Sequence, residues 1–172
     1  AGVVLGGDLW AAPSGRTGGG YGPVLCVWRG FAERVRWVAG VAGSRDDVTG
    51  VDDLPDVHLL DGDVVELDGI RLGGVGRIIG NERKAGRRSE GSFHGALDAV
   101  LVERPELVVL HEGPDGGRTQ RGNRDVAAAL VDAAVSTAVC GHVHWREPLA
   151  DLGATGRTLN VDARCVVLLQ DR

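Results

Sequence analysis

The chain has 172 residues, 43% of them hydrophobic and 25% charged, with a formal net charge of -5. This is the composition of one globular domain with its own core; the 28 glycines, which follow no three-residue period, exclude a collagen-like chain and signal many tight loops. The acidic balance argues against nucleic acid or an anionic membrane as partner, and no apolar run approaches the ~20 residues that span a bilayer.

Val3, Val4 and Leu5 predict a strand over residues 2–5, running into Gly6-Gly7-Asp8 and then a loop rich in Gly, Pro and Ser over residues 13–23. Val24, Val27, Trp28, Phe31 and Val35 recur at helical spacing. An amphipathic helix therefore leads into a buried strand over residues 37–42, which ends at the polar turn Gly43-Ser44-Arg45-Asp46-Asp47. Residues 58–60, 64–67 and 70–75 are short β-like runs separated by Asp61-Gly62 and Asp68-Gly69. Such dipeptides are hairpin signals, so an antiparallel meander is expected. Residues 81–92 carry Arg83, Lys84, Arg87 and Arg88 with little apolar content and read as an exposed basic loop. Next come a short helix over residues 93–103, a strand over 107–110, a helix over 125–135 and a strand over 137–140. Three β-like pieces follow Trp145, the last over residues 164–169. Cys26, Cys140 and Cys165 form no CxxC pair, which points away from a disulfide framework and toward a reducing, cytoplasmic setting.

Four of these strands stop at polar clusters: Asp8, Ser44 to Asp47, His111-Glu112, and His142 with His144. Strand ends at one edge of a mostly parallel sheet meet in a crevice, the usual ligand position of such folds. Imidazole with carboxylate is the ligand set of zinc, manganese or iron, so the economical reading is a metal site. Gly141 ahead of the histidine pair frees the backbone to bring both rings to a metal from one loop. His58 and His94 are assigned to ordinary structural faces, and Trp145 and Cys140 to the core. The glycine-rich segment 14–22 lacks the Gly-Lys-Ser/Thr of a phosphate-binding loop.

The order Gly7-Asp8, Gly43-Ser44-Arg45-Asp46, His111 and Gly141-His142-Val143-His144 resembles the calcineurin-like metallophosphoesterases over nearly the whole chain. The resemblance implies a single domain over residues 1–172 with a mixed α/β, four-layer fold, a two-sheet β-sandwich flanked by helices. It also implies a pair of manganese, iron or zinc ions that activate a water against phosphorus. Asp8 then looks like the bridging carboxylate, His111 and His142 like ligands of one metal, with Ser44 at the place of the family's amide ligand, and His144 like a ligand of the other. Two departures stand out. The family's Asp-x-His strand has no counterpart ahead of Asp8, which implies a strand upstream of Ala1; without it one ion or none is expected. Arg45 replaces an imidazole, and with a pKa above about 12 it cannot protonate a leaving group, although it can stabilise phosphoryl charge.

The expected activity is metal-dependent hydrolysis of a small phosphomonoester or phosphodiester. Arg45 and Asp46 are the candidate catalytic residues, and Arg87 and Arg88 the candidate phosphate-binding groups. A hydrolase with a single zinc on Asp8, His111 and His142 is a further option. The alternative is a degenerate member whose fold serves as a binding or assembly module without turnover.

Overall fold

Runs of valine and leucine without polar alternation set the centre of the molecule, because strands buried on both faces need apolar side chains at every position. The structure, a computed structural model, describes residues 1–10 and 20–167. In chain order its elements are β1 (Gly2–Leu5), β2 (Gly22–Pro23), α1 (Leu25–Ala32), β3 (Trp37–Gly40), β4 (Asp46–Asp47), β5 (Val57–Leu59), β6 (Asp63–Leu67), β7 (Ile70–Val75), β8 (Ile78–Ile79), β9 (Arg87–Arg88), α2 (Glu90–Val102), β10 (Leu107–Leu110), α3 (Arg124–Asp132), β11 (Thr137–Cys140), β12 (Leu149–Leu152) and β13 (Gly156–Asn160).

Strands β1, β3 and β5 form a parallel three-stranded sheet. The second sheet has six strands in the order β12-β13-β11-β10-β7-β6. Its four inner strands are parallel, and β6 and β12 close the edges in antiparallel register. Side chains that alternate along each strand feed three stacked cores. Leu5 and Val38 pack with Trp28 of α1 on the outer face of the small sheet. Ala39, Val41, Leu72 and Val109 fill the space between the sheets. On the far face of the large sheet, Val108 and Leu110 meet Phe93, Leu97 and Val100 of α2 and Val126 and Leu130 of α3. The layers are thus helix, sheet, sheet and helices, the mixed α/β two-sheet arrangement expected from the sequence. No helix among the described residues is long and apolar enough to cross a membrane.

Local chemistry explains the element ends. Asn123 caps α3, its side-chain oxygen accepting from the backbone N–H of Asp125 at 2.9 Å and of Val126 at 3.1 Å. Asp68 and Gly69 both have positive φ, 51° and 79°, the signature of the two-residue turn that joins β6 to β7.

The expected meander is reduced to that one hairpin. β5 joins the small sheet beside β3, with Leu60 N–H donating to the Gly40 carbonyl at 2.8 Å, so Asp61-Gly62 carries the chain from one sheet to the other. A three-residue apolar run fits any open edge, and its partner is chosen by packing. The basic loop is also shorter than expected, since Arg87 and Arg88 pair with β8 and α2 begins at Glu90. Residues 164–167 form no strand, and 168–169 lie outside the described residues, as do residues 13–19 of the first loop.

Because Leu110 is fully buried between β10 and the two helices, Leu110→Ala should destabilise the fold by about 2–5 kcal/mol. Urea unfolding followed by circular dichroism reads the shift in midpoint.

Candidate metal centre

The carboxyl ends of β1 and β3 from one sheet and of β10 and β11 from the other meet at one edge of the sandwich. Leu110 O accepts from Gly141 N at 3.2 Å and Leu5 O from Val41 N at 3.0 Å within the sheets, and His111 Nδ1 lies 2.8 Å from the Gly6 carbonyl oxygen between them, so the loops after all four strands start side by side. Gly141 serves close approach: a Cβ there would lie 2.6 Å from the Gly6 carbonyl oxygen. The left-handed conformation falls on His142 itself, with φ of 65°, and on Asp8, with φ of 55°. Such backbone states cost on the order of 1–3 kcal/mol each and persist where surrounding structure imposes them.

His111 is fully buried, and its Nδ1 lies 2.8 Å from the Gly6 carbonyl oxygen. A carbonyl only accepts, so Nδ1 carries a proton and Nε2 is the ring nitrogen turned inward. That Nε2 stands 3.3 Å from Asp8 Oδ1. Neither His111 Nε2 nor the buried His142 Nδ1 has a hydrogen-bond partner. The two rings are 5.2 Å apart at 57°, and one ligand atom each from Asp8, His111 and His142 lie within 4.8 Å of one another. Two buried, unpaired nitrogens beside a carboxylate are costly by themselves, at about 1–3 kcal/mol for each unsatisfied group, and a divalent cation would satisfy all three together. The His111 contact to Gly6 is the outer hydrogen bond by which metal-binding imidazoles are oriented. The residues present therefore fit one cation.

The structure places the other candidates differently. Ser44 Oγ stands 3.1 and 3.2 Å from the two Asp8 oxygens; it donates to the carboxylate, a support and not a ligand. Arg45 contacts the same carboxylate twice, its backbone N–H at 2.9 Å from Oδ1 and its Nε at 3.2 Å from Oδ2. Asp46, at 2% exposure, accepts from Trp10 N and Gly43 N, each at 2.9 Å, and so ties the two loops together. His144 is outside the cluster. Its Nδ1 lies 3.1 Å from the Asp162 carbonyl oxygen and 3.3 Å from Asp162 Oδ2, and its Nε2 lies 3.3 Å from an Arg164 nitrogen. Asn160 holds the intervening Val143 carbonyl at 2.9 Å, which turns the second ring toward the segment after β13. Arg88 is engaged by Asp61 at 2.8 Å and by the Ser92 carbonyl at 3.2 Å, so it braces α2. Arg87 is exposed, and its charge is the smallest of the causes that lower the pKa of His142 and oppose the rise at Glu112.

Sequence reading missed Asn160, Asp162 and Arg164. Asn160 ends β13, another parallel strand ending at the same edge, and Asp162 and Arg164 follow it; the strand-end rule finds them once that pairing is known. Trp145 and Cys140 are core residues as expected; Trp145 donates to the Arg121 carbonyl at 2.8 Å, and burial pushes the Cys140 thiol up to about 12.

Electrostatics favour the metal-ready state. Burial alone would raise the Asp8 carboxyl, but the His111 ring and the Arg45 guanidinium and backbone N–H outweigh it and hold the group well below the usual carboxylate range. Burial, followed by the charge of His111, lowers the His142 pKa, so its ring is neutral at pH values where a free imidazole begins to protonate.

No family model and no curated protein sequence matches the chain. Among solved structures the chain is similar to the crystal structure of TT1561 of Thermus thermophilus, with a TM-score of 0.65 and 17% identity over 80% of this chain and 68% of that one. At that identity the likeness establishes the fold: a mixed α/β sandwich consistent with the metallophosphoesterase type.

Acidification supplies a check on the centre. The unfolded chain takes up a proton at His142 more readily than the folded one, so metal-free protein should lose stability as pH falls below about 6.5. Manganese affinity, read by isothermal titration calorimetry, should fall over the same range because ligation needs a neutral ring.

Proposed function

We propose that the protein is a metal-dependent phosphoesterase acting on a small phosphomonoester or phosphodiester. The observation that carries this reading is the pair of unpartnered imidazole nitrogens, on His111 and His142, gathered with the Asp8 carboxylate at the convergent strand ends. Imidazole with carboxylate suits manganese, iron or zinc. When bound, such an ion supplies a Lewis acid for phosphoryl oxygens and lowers the pKa of a coordinated water.

The chain's own residues do the positioning. Gly6 holds His111 in the tautomer that presents Nε2, and Ser44 and Arg45 fix the Asp8 carboxylate. Arg45 is 42% exposed while paired to Asp8, so its guanidinium faces both the carboxylate and an incoming anion. Arg87 adds a second cationic group at the rim, a planar fork matched to phosphate oxygens. Neither arginine donates a proton, and general acid catalysis ordinarily contributes about 10²–10⁴-fold. Substrates with good leaving groups, such as aryl phosphates, are therefore favoured. Arg45 also supports the alternative, a fold kept for binding: a carboxylate already paired with a guanidinium is compatible with metal capture without turnover.

Purified protein should release p-nitrophenol from p-nitrophenyl phosphate only when supplied with manganese or zinc. Asp8→Ala and His142→Ala should each abolish that release, while Arg87→Ala should raise KM more than it lowers kcat. Hydrolysis that survives chelation and both substitutions would reject the proposal, and tight metal binding with no release would favour the binding module.

A further inference from the structure

The family likeness calls for two cations bridged by Asp8, and two donors among the described residues match the second: the outer oxygen of Asp8 and the second histidine of the Gly-His-x-His motif. Both donors face guanidinium groups. Asp8 Oδ2 accepts from Arg45 Nε at 3.2 Å, whereas Oδ1 lies toward His111 Nε2 at 3.3 Å. With its Nδ1 directed at the Asp162 carbonyl, His144 has one lone pair left, on Nε2, and that lone pair lies 3.3 Å from an Arg164 nitrogen. A ring nitrogen has one lone pair, which serves either an N–H donor or a metal.

Arg164 is not a passing contact. Its guanidinium also donates to the carbonyls of Trp145 and Arg146 and to Asn160 Oδ1, so it is clamped across the loop that carries His144. An arginine stays charged at every physiological pH. A dication seated against His144 Nε2 would have to displace Arg164, and one seated against Asp8 Oδ2 would have to displace Arg45.

We infer that this chain holds a single divalent cation, on Asp8, His111 and His142, and that the guanidinium groups of Arg45 and Arg164 stand where a second cation would bind. The inference rests on the metal-dependent reading above and narrows it to a one-ion centre with fixed positive charge at its side. The described residues do not fit a second ion, and His144 becomes a positioning residue for the Asp162–Arg164 segment.

The test is metal content and not turnover. After manganese loading and removal of free metal, elemental analysis of the full chain should find one ion per chain, with the electron paramagnetic resonance pattern of an isolated ion. Asp8→Ala or His142→Ala should weaken manganese binding by more than about 100-fold, beyond the loss usual for outer-shell partners. His144→Ala should leave both stoichiometry and affinity within about 3-fold of the parent, well under that same outer-shell loss. Two ions per chain, an exchange-coupled spectrum, or a tenfold or greater loss of affinity in His144→Ala would overturn the inference. One ion without phosphoester hydrolysis would sink the proposed activity and leave this inference standing. Two ions with hydrolysis would do the reverse, and no ion in the parent chain would overturn both.

Discussion

The hydrogen bond from His111 Nδ1 to the Gly6 carbonyl ties one sheet to the other at the edge where the chemistry sits. Gly6 follows a strand of the small sheet, and His111 follows a strand of the large one. This bond selects the tautomer, aims Nε2 at Asp8, and fixes the distance between a carboxylate and an imidazole that are more than one hundred residues apart. The close contact of Gly141 with the same carbonyl brings His142 into the arrangement. The glycines at these strand ends are therefore a condition of the centre, since a side chain there would separate the sheets' edges.

The site is locally unfavourable and globally supported. Asp8 and His142 both hold left-handed backbone, and two buried nitrogens lack partners. Strain and unsatisfied polar groups of this kind survive where the surroundings over-determine them. Here the surroundings are three apolar cores stacked through the sandwich, with Asp46 clamping the loops that carry Asp8 and Ser44. A cation at the Asp8, His111 and His142 ligand atoms would satisfy the two nitrogens, and the metal-free fold goes without that stabilisation.

Arginines stand among the carboxylates of the centre. The formal net charge is -5, yet Arg45 and Arg164 contact the ligand set or its neighbour and Arg87 is exposed. Arg88, which belongs to the same basic run, is spent on Asp61 and the start of α2. Adjacent arginines in one strand thus divide between structure and site, because successive residues point to opposite faces.

The inner strands, the helices and the identity of Asp8, His111 and His142 were all legible in the order of residues. Apolar runs buried on both faces have few other structures open to them, and polar residues at their ends have nowhere to go but a shared edge. What the linear pattern left open was partnership. Whether residues 57–59 pair with the hairpin or with β3, whether Ser44 faces a metal or the Asp8 carboxylate, whether Asp46 faces the crevice or braces a loop, and whether His144 joins His142 all depend on neighbours distant in the chain. A hydroxyl, a carboxylate or an imidazole has a fixed chemistry but bonds with whatever packing brings within about 3 Å. Local sequence therefore determined which groups arrive at the edge, and the tertiary structure alone decided which of their lone pairs remained free.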